Sequence, residues 1–380
     1  MKTTSAKTWI EISASALEHN VRGIQALVAP AQTMAIVKAN AYGHGLVETA
    51  KILARVGVPW FGVDRLEEAE TLREQGIKEP ILILGYVPIA RIKDAVRQGF
   101  SFVVYNAASI NEAARVATGT HPAKVHLKIE TGLMRQGVAC EDLPSIVRLL
   151  KRSEHVWVEG ISTHYANIED RKDPAFAMEQ LAAYQEAIRI VQAHGIDPAW
   201  KHTACSAAAI LFPDTRFNMI RLGIAMYGLW SSEKTKQSAQ DRKLSVRLQP
   251  VLTWKTMVAQ IKNVSKGTCI GYGLTECVSR HSVIAVLPIG YADGFDRAAM
   301  SNKGTVLIRG KRCKIIGRVC MNMCMVDATD VKGIAQEDEV VLIGKQGKEE
   351  ITAEECAKKA ETINYEIVAR LSEAIERRVV

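Results

Sequence analysis

Lys38 closes a strongly hydrophobic run, TMAIVKA (33–39), within the longer stretch AIVKANAYGHG. Two readings of it stand. It is either a lysine that snorkels from a strand end into water, or an amine whose desolvation lowers its pKa enough to form Schiff bases. The flanking Asn40, Tyr42, Gly43 and Gly45 make a tight loop suited to an anionic ligand. Near the middle of the chain, RLGIAMYG sets Arg221 two residues before Gly223, whose missing side chain lets backbone N–H groups approach a phosphate. Ser206 is either the N-cap of the helix that follows it or a further donor to the same anion, and the two roles are compatible. Arg135 and His164 complete the polar set at the ends of strand-like runs, a set with no Asp/Glu cage for a metal.

These side chains converge only if the runs they end belong to one sheet. Eight short apolar runs alternate with segments of helical period between residue 33 and about 228: TMAIVKA, WFGVD, ILILGYV, SFVVYN, KVHLKIET, VWVEGISTHY, WKHTACS and MIRLGIAMYG. Repeated βα units build a parallel sheet. Eight in ~200–250 residues point to an α/β fold of the closed (β/α)8 TIM type, with its site where the strands end; an open doubly wound sheet is the alternative. After Trp230, SSEKTKQSAQDRK (231–243) is polar, lacks hydrophobic period and reads as a linker or surface excursion. β-type runs dominate from there until helical patterns return in TAEECAKKAET and YEIVARLSEAIERR. The expected division is a barrel over 1–240, with residues 1–13 available to pair with the second domain, and a mostly β domain over 241–380.

At 380 residues, 48% hydrophobic and 24% charged, the chain has the composition of an ordinary globular protein, not of a disordered, collagenous or membrane one. The net charge of +8 is scattered. Its densest cluster, Arg309, Lys311, Arg312, Lys314 and Arg318, has no aromatics between and lacks the stripe or module of a nucleic-acid binder. No ~18-residue uncharged apolar run occurs, and MKTTSAKTWIEI has no apolar leader segment, so a cytoplasmic protein is expected. The eight cysteines include no CxxC pair and are expected as reduced thiols, several packed as small hydrophobes, with no metal site.

The longer motifs carry a resemblance. WIEISASALEHN, VKANAYGHG, KIETGLMRQG, STHYA, SAAAILFP, RLGIAMYGL, GYGLT, LPIGYADGF, GRVCMN and TINYEIVARL follow one another in family order, and the chain resembles an alanine racemase over nearly its whole length. That resemblance implies a pyridoxal 5'-phosphate enzyme interconverting L- and D-alanine for peptidoglycan, in which Lys38 carries the cofactor and is one acid/base catalyst. Tyr272 matches the second, supplied across the interface of a homodimer with shared active sites. Arg221 corresponds to the arginine on the pyridine nitrogen. Tyr42, Ser206, Gly223, Ile224 and Tyr365 correspond to the phosphate set, and His164 to a histidine packed near Arg221. Arg135 and Met321 correspond to substrate-carboxylate contacts, and Tyr291 to a residue lining the substrate entrance. Lys128 is either a carbamylated lysine orienting Arg135 or an ordinary lysine paired with Glu130. Glu130, Leu133, Met134, Cys205 and Asn322 depart from the family pattern.

Racemisation removes a proton from Cα on one side and returns it on the other, so two acid/base groups must flank one plane. An arginine, which keeps its proton, weakens the ring as an electron sink and so disfavours decarboxylation and transamination. A pyridoxal phosphate decarboxylase and a non-catalytic cofactor-binding protein are the alternatives. A racemase of serine, lysine or several amino acids is a third.

Overall fold

The structure is a computed structural model that describes residues 6–169 and 173–380; residues 1–5, part of the stretch read above for a leader, and 170–172 lie outside the described residues. The first nine strands are β1 (Thr8–Ile12), β2 (Gln32–Ile36), β3 (Trp60–Val63), β4 (Ile81–Ile83), β5 (Ser101–Val104), β6 (Ala123–Lys128), β7 (Val156–Ser162), β8 (Trp200–His202) and β9 (Met219–Leu222). Strands β2 to β9 form one eight-stranded parallel sheet in the order β8-β7-β6-β5-β4-β3-β2-β9. Its two edges meet where the Arg221 N–H donates to Ala204 O at 2.9 Å. The sheet is a nearly closed barrel, and the doubly wound alternative falls.

Every expected run holds one of these strands, but the strands stop early. WKHTACS is extended only over Trp200–His202 and MIRLGIAMYG only over Met219–Leu222. The runs continue as apolar sequence because the loops beyond the strand ends are themselves buried: Ala204, Ala207, Ala225 and Tyr227 are at most 1% exposed.

After β2, Lys38–Tyr42 makes one helical turn in which Ala39, Asn40, Ala41 and Tyr42 all have φ of 52–53°. A left-handed turn costs non-glycine residues about 1–2 kcal/mol each, so four in succession need strong local bonds to hold them. Ala39 N–H donates to Glu68 Oε1 at 2.7 Å, and the N–H groups of Asp64 and Arg65 donate to Glu68 Oε2 at 2.9 and 3.1 Å. Asn40 contributes its side chain to Leu46 N–H at 2.8 Å and its carbonyl to Gly45 N–H at 3.0 Å.

Close packing separates two compact units. One comprises Ala16–Ala39 and Ala50–Gln249; the other comprises the described part of Met1–Ser15, Asn40–Thr49 and Pro250–Val380. The second unit adds β10 (Leu252–Met257), β11 (Gln260–Val264), β12 (Ser282–Leu287), β13 (Thr305–Ile308), β14 (Lys311–Lys314), β15 (Cys324–Asp327), β16 (Glu339–Gln346), β17 (Glu349–Ile351) and β18 (Glu376–Val379). β1 lies between β10, to which it is antiparallel, and β18, to which it is parallel. That sheet runs β14-β13-β16-β10-β1-β18, with β17 on β16, and a smaller one runs β11-β12-β15.

Three readings of the sequence need correction. The polar segment after Trp230 holds a helix, Glu233–Asp241, started by Ser232, whose hydroxyl accepts the Thr235 N–H at 3.0 Å. Only Thr235 and Ala239 are buried on it, which is why no apolar period announces it. The end of YEIVARLSEAIERR is not helical: Glu376–Val379 is a strand because its backbone pairs with β1. Cys269 and Cys277 are not free thiols but a disulfide, brought together across a hairpin; the other six cysteines are free. The basic cluster is also largely neutralised, since Arg309 pairs with Asp338, Arg312 with Glu349 and Glu355, and Lys314 with Glu276.

Glu68 is 6% exposed and its carboxylate serves three backbone N–H groups, including that of Ala39. Orphaning buried donors costs about 1–3 kcal/mol each. Glu68→Ala is therefore expected to lower unfolding free energy by about 3 kcal/mol or more, whereas Glu67→Ala, which breaks only a surface ion pair with Arg91, stays within about 1 kcal/mol. Equal denaturant midpoints for the two variants would contradict this account of the turn.

Candidate active site

The barrel unit concentrates positive charge. Half-buried His164 is held far below the ordinary histidine value, first by desolvation and then by the charges of Arg221, Lys128, Arg135 and Lys38. Lys128 is pushed well below the usual lysine range by burial, then by Arg221 and Arg135. Four basic side chains from the ends of β2, β6 and β9 and the loop after β6 thus bear on one space, a setting suited to an anion.

Arg221, on β9, is 6% exposed and has no carboxylate in contact among the described residues. Its Nη1 donates to His202 Nδ1 and to His202 O, both at 2.8 Å. Its Nη2 donates to Thr163 O at 2.8 Å, Thr203 O at 2.7 Å and His164 Nδ1 at 3.1 Å. The ends of β7 and β8 therefore clamp the guanidinium plane. Behind it, His202 Nε2 lies 2.8 Å from His126 Nδ1, and His126 Nε2 lies 3.4 Å from Glu159 Oε2.

Ser206 opens the helix Ser206–Leu211 and is buried. Its oxygen accepts the N–H groups of Gly223 and Ala225 at 3.1 and 3.3 Å, which leaves its own proton to donate. It does not cap its own helix: Cys205 holds that position, without a side-chain bond. Ser206, Gly223 and Ile224 are brought together as expected. Glu130 is not the partner of Lys128. Its Oε1 accepts the Gly132 and Leu133 N–H groups at 2.6 and 2.7 Å, and its Oε2 the Arg135 N–H at 3.2 Å, so it shapes the loop that presents Arg135.

In the other unit, the rings of Tyr42 and Tyr365 lie 6.1 Å apart. Tyr291 and Met321 are joined through the backbone, Tyr291 N–H to Cys320 O at 3.1 Å and Ala292 N–H to Met321 O at 3.0 Å. Tyr272 tips a hairpin closed by Ile270 N–H to Glu276 O at 2.9 Å and by the disulfide. It sits between Gly271 and Gly273, both at φ 76°, a conformation that lets the chain turn on either side of it. Tyr272, Met321 and Tyr291 are 67%, 57% and 42% exposed.

A parallel barrel with a cationic mouth and a phosphate-type donor set, followed by a β domain, defines a barrel enzyme that binds an anionic ligand. Residues 12–231 match the family described as alanine racemase, N-terminal domain, and residues 251–379 that described as alanine racemase, C-terminal domain. The alanine racemase of Symbiobacterium thermophilum is 40% identical over 97% of this chain and 96% of its own, and that of Methanococcus maripaludis is 39% identical over 97% of each. The crystal structure of the alanine racemase from Bacillus anthracis with bound L-Ala-P superposes with a TM-score of 0.92 at 34% identity, over 99% of this chain and 96% of that one. A histidine racemase from Leuconostoc mesenteroides superposes at 0.89 with 28% identity, over 100% and 99%. The chain belongs to the alanine racemase family.

Glu68, His126, His202 and Glu159 escaped the sequence reading. The last three lie within strands that read as apolar, where only an inward-facing polar residue would have signalled them, and Glu68 lies among the acidic residues of the helix Leu66–Glu74, where nothing sets it apart from Glu67 and Glu70.

Buried His44, His126 and His202 and half-buried His164 all have pKa values lowered mainly by desolvation, His44 to about 4; Arg221 lowers those of His126, His164 and His202 further. A depressed folded-state pKa means stability that is complete above the unfolded value of 6.5 and is lost as pH falls below it. Each such histidine accounts for up to about 1.4 kcal/mol per pH unit. Unfolding free energy is expected to drop by about 3–5 kcal/mol between pH 7 and 5.5. A drop under about 1 kcal/mol would mean these rings take up protons while folded.

Proposed function

We propose that this chain is a homodimeric, cytoplasmic alanine racemase that uses pyridoxal 5'-phosphate and supplies D-alanine for peptidoglycan. The observation that carries the reading is the group of four basic side chains around His164, with Ser206 and the Gly223–Ala225 turn beside them. Pyridoxal phosphate fits this donor set: a hydroxyl and backbone N–H groups for a phosphate, a permanently charged arginine for a pyridine nitrogen, and a half-buried lysine for a carbonyl carbon. When bound, the cofactor supplies the electron sink that acidifies the substrate's Cα–H.

The rest is done by the chain. Lys38 holds the cofactor covalently, and its Nζ moves a proton at Cα on one face. The Tyr272 hydroxyl of a second copy moves a proton on the other, with Met321 and Tyr291 brought in from the same copy. The exposure of those three residues supports this reading. Arg135 would bind the substrate carboxylate, and Ser206, Gly223 and Ile224 would hold the phosphate. Arg221 keeps its proton and so would leave a pyridine nitrogen beside it unprotonated, a weaker electron sink that disfavours decarboxylation and transamination. Lys128 is buried among cations, which with desolvation outweigh the pull of Glu130 and push its pKa well below the usual lysine range, so its amine could add carbon dioxide and, releasing a proton, leave a carbamate toward Arg135.

Borohydride reduction of the purified protein followed by peptide mapping is expected to find the cofactor on Lys38. Reduced cofactor on another lysine, or on none, would overturn the assignment. Chiral chromatography should then show L-alanine driven to a one-to-one mixture faster than serine, lysine or histidine. Preference for one of those would retain a racemase but replace its substrate.

Tyr272→Phe is expected to slow racemisation about 10²–10⁴-fold in both directions. Mixing inactive Lys38→Ala and Tyr272→Phe chains should restore activity through one complete site per mixed dimer. No recovery after verified subunit exchange would mean that each chain completes its own site.

A further inference from the structure

Arg221 is buried with no carboxylate in contact among the described residues, yet the row of rings behind it ends 3.4 Å from one. The guanidinium can only donate, so His202 Nδ1, 2.8 Å from Nη1, is an acceptor. Burial and Arg221 keep His202 neutral, and its single proton is therefore on Nε2. That proton is donated across 2.8 Å to His126 Nδ1. His126 is neutral for the same reasons, so its proton is on Nε2, facing Glu159 Oε2 at 3.4 Å. An arginine that cannot lose its proton thus fixes two tautomers, and the polarised row has a negative charge at its far end.

The backbone is shaped to put that charge there. β6 and β7 pair regularly from Ala123 with Val156 to Val125 with Val158, then shift register so that His126 pairs with Gly160 and Glu159 is the extra residue of a bulge. Bulges re-aim side chains and commonly sit near functional sites. At Gly160 a Cβ would come within 2.3 Å of His126 Nδ1, so the ring fits only because the side chain is missing. An irregularity in β7 and a glycine are both spent on seating one His–Glu pair inside a barrel.

We infer that Glu159 is a positioning residue of the racemase site, the remote counter-charge of Arg221, acting on it through His126 and His202. The inference rests on the reading of Arg221 given under Proposed function. Glu159 is suited to the part. Burial pushes its carboxyl up, but the hydrogen bond from the Ser101 hydroxyl and the nearby His126 ring outweigh that and hold it ionised, with Lys124 adding in the same sense. The charged and titratable groups facing the row are Glu159 and Lys124 at one end and Arg221 and Lys128 at the other. Charges act over longer range in so dry an interior, and hydrogen-bonded rows polarise cooperatively.

The test compares wild type, Glu159→Gln, His126→Asn and the double variant, each as the cofactor-loaded dimer, by ¹⁵N-histidine NMR and by steady-state kinetics. In wild type, His126 and His202 are expected as neutral rings protonated on Nε2. Glu159→Gln, which keeps the volume and removes the charge, should move the His126 and His202 signals and lower the pH at which His126 protonates. It should reduce kcat roughly tenfold, about the worth of one charge-assisted hydrogen bond, with KM within about twofold. In the His126→Asn background, Glu159→Gln should have no further effect on kcat. Unchanged histidine signals with unchanged kcat in Glu159→Gln would overturn the inference, as would an undiminished effect of Glu159→Gln once His126 is gone. If the wild type racemises no alanine, the functional reading fails, while the NMR arm still decides whether Glu159 governs the row.

Discussion

A guanidinium keeps its proton at any pH a protein survives, so burying Arg221 commits its surroundings to satisfying a permanent charge. The barrel answers with acceptors of two kinds. Carbonyl oxygens of Thr163, His202 and Thr203 come from backbone just past β7 or at the end of β8, where a parallel sheet has run out of ladder partners. The imidazole nitrogens of His164 and His202 take the rest. Even the closing bond of the sheet is made by this residue, through its own N–H to Ala204. The same commitment keeps the neighbouring histidines neutral, because a second buried positive charge beside an unscreened guanidinium would be costly.

The turn after β2 meets a different constraint. A lysine at a strand end would ordinarily follow its neighbours into solvent; here four left-handed residues carry the chain sharply away immediately after Lys38. Glu68 gives that geometry a fixed anchor from the start of the helix Leu66–Glu74. Asn40 is the residue type in the turn best able to tolerate such a backbone, and its side chain bonds forward to Leu46. Position at this site is thus imposed by backbone strain held by a buried carboxylate, while charge is imposed by Arg221.

Much of this was legible beforehand, for identifiable reasons. Eight apolar runs announced eight strands because a parallel sheet covered on both faces needs near-continuous hydrophobic sequence. Lys38, Ser206 and Arg221 stood out because each interrupts or ends such a run within two residues of glycine or alanine. His126 lies inside such a strand and His202 at the end of another, with no glycine turn beside either, and nothing local says that the two rings meet across 76 positions. Glu159 was hidden further, since a bulge reverses the expected alternation of faces. The strand Glu376–Val379 was missed because ERRV carries no β pattern and is extended only by virtue of a partner near the other end of the chain. The pairing of Cys269 with Cys277 likewise depended on a hairpin register that spacing alone does not specify.

That last strand has a consequence for how the molecule is made. β1 is made long before its neighbours on either side, Leu252–Met257 and Glu376–Val379. Until those segments exist, its two edges are open and its apolar residues Trp9, Ile10 and Ile12 have no sheet to bury against. The barrel, whose strands all lie within residues 32–222, meets its partners in order of synthesis and can form while translation continues. The β sheet cannot, and it is completed only once Glu376–Val379 has been made. An open strand edge is a template for pairing with another chain, so Thr8–Ile12 is a point of exposure to aggregation while the chain is being produced.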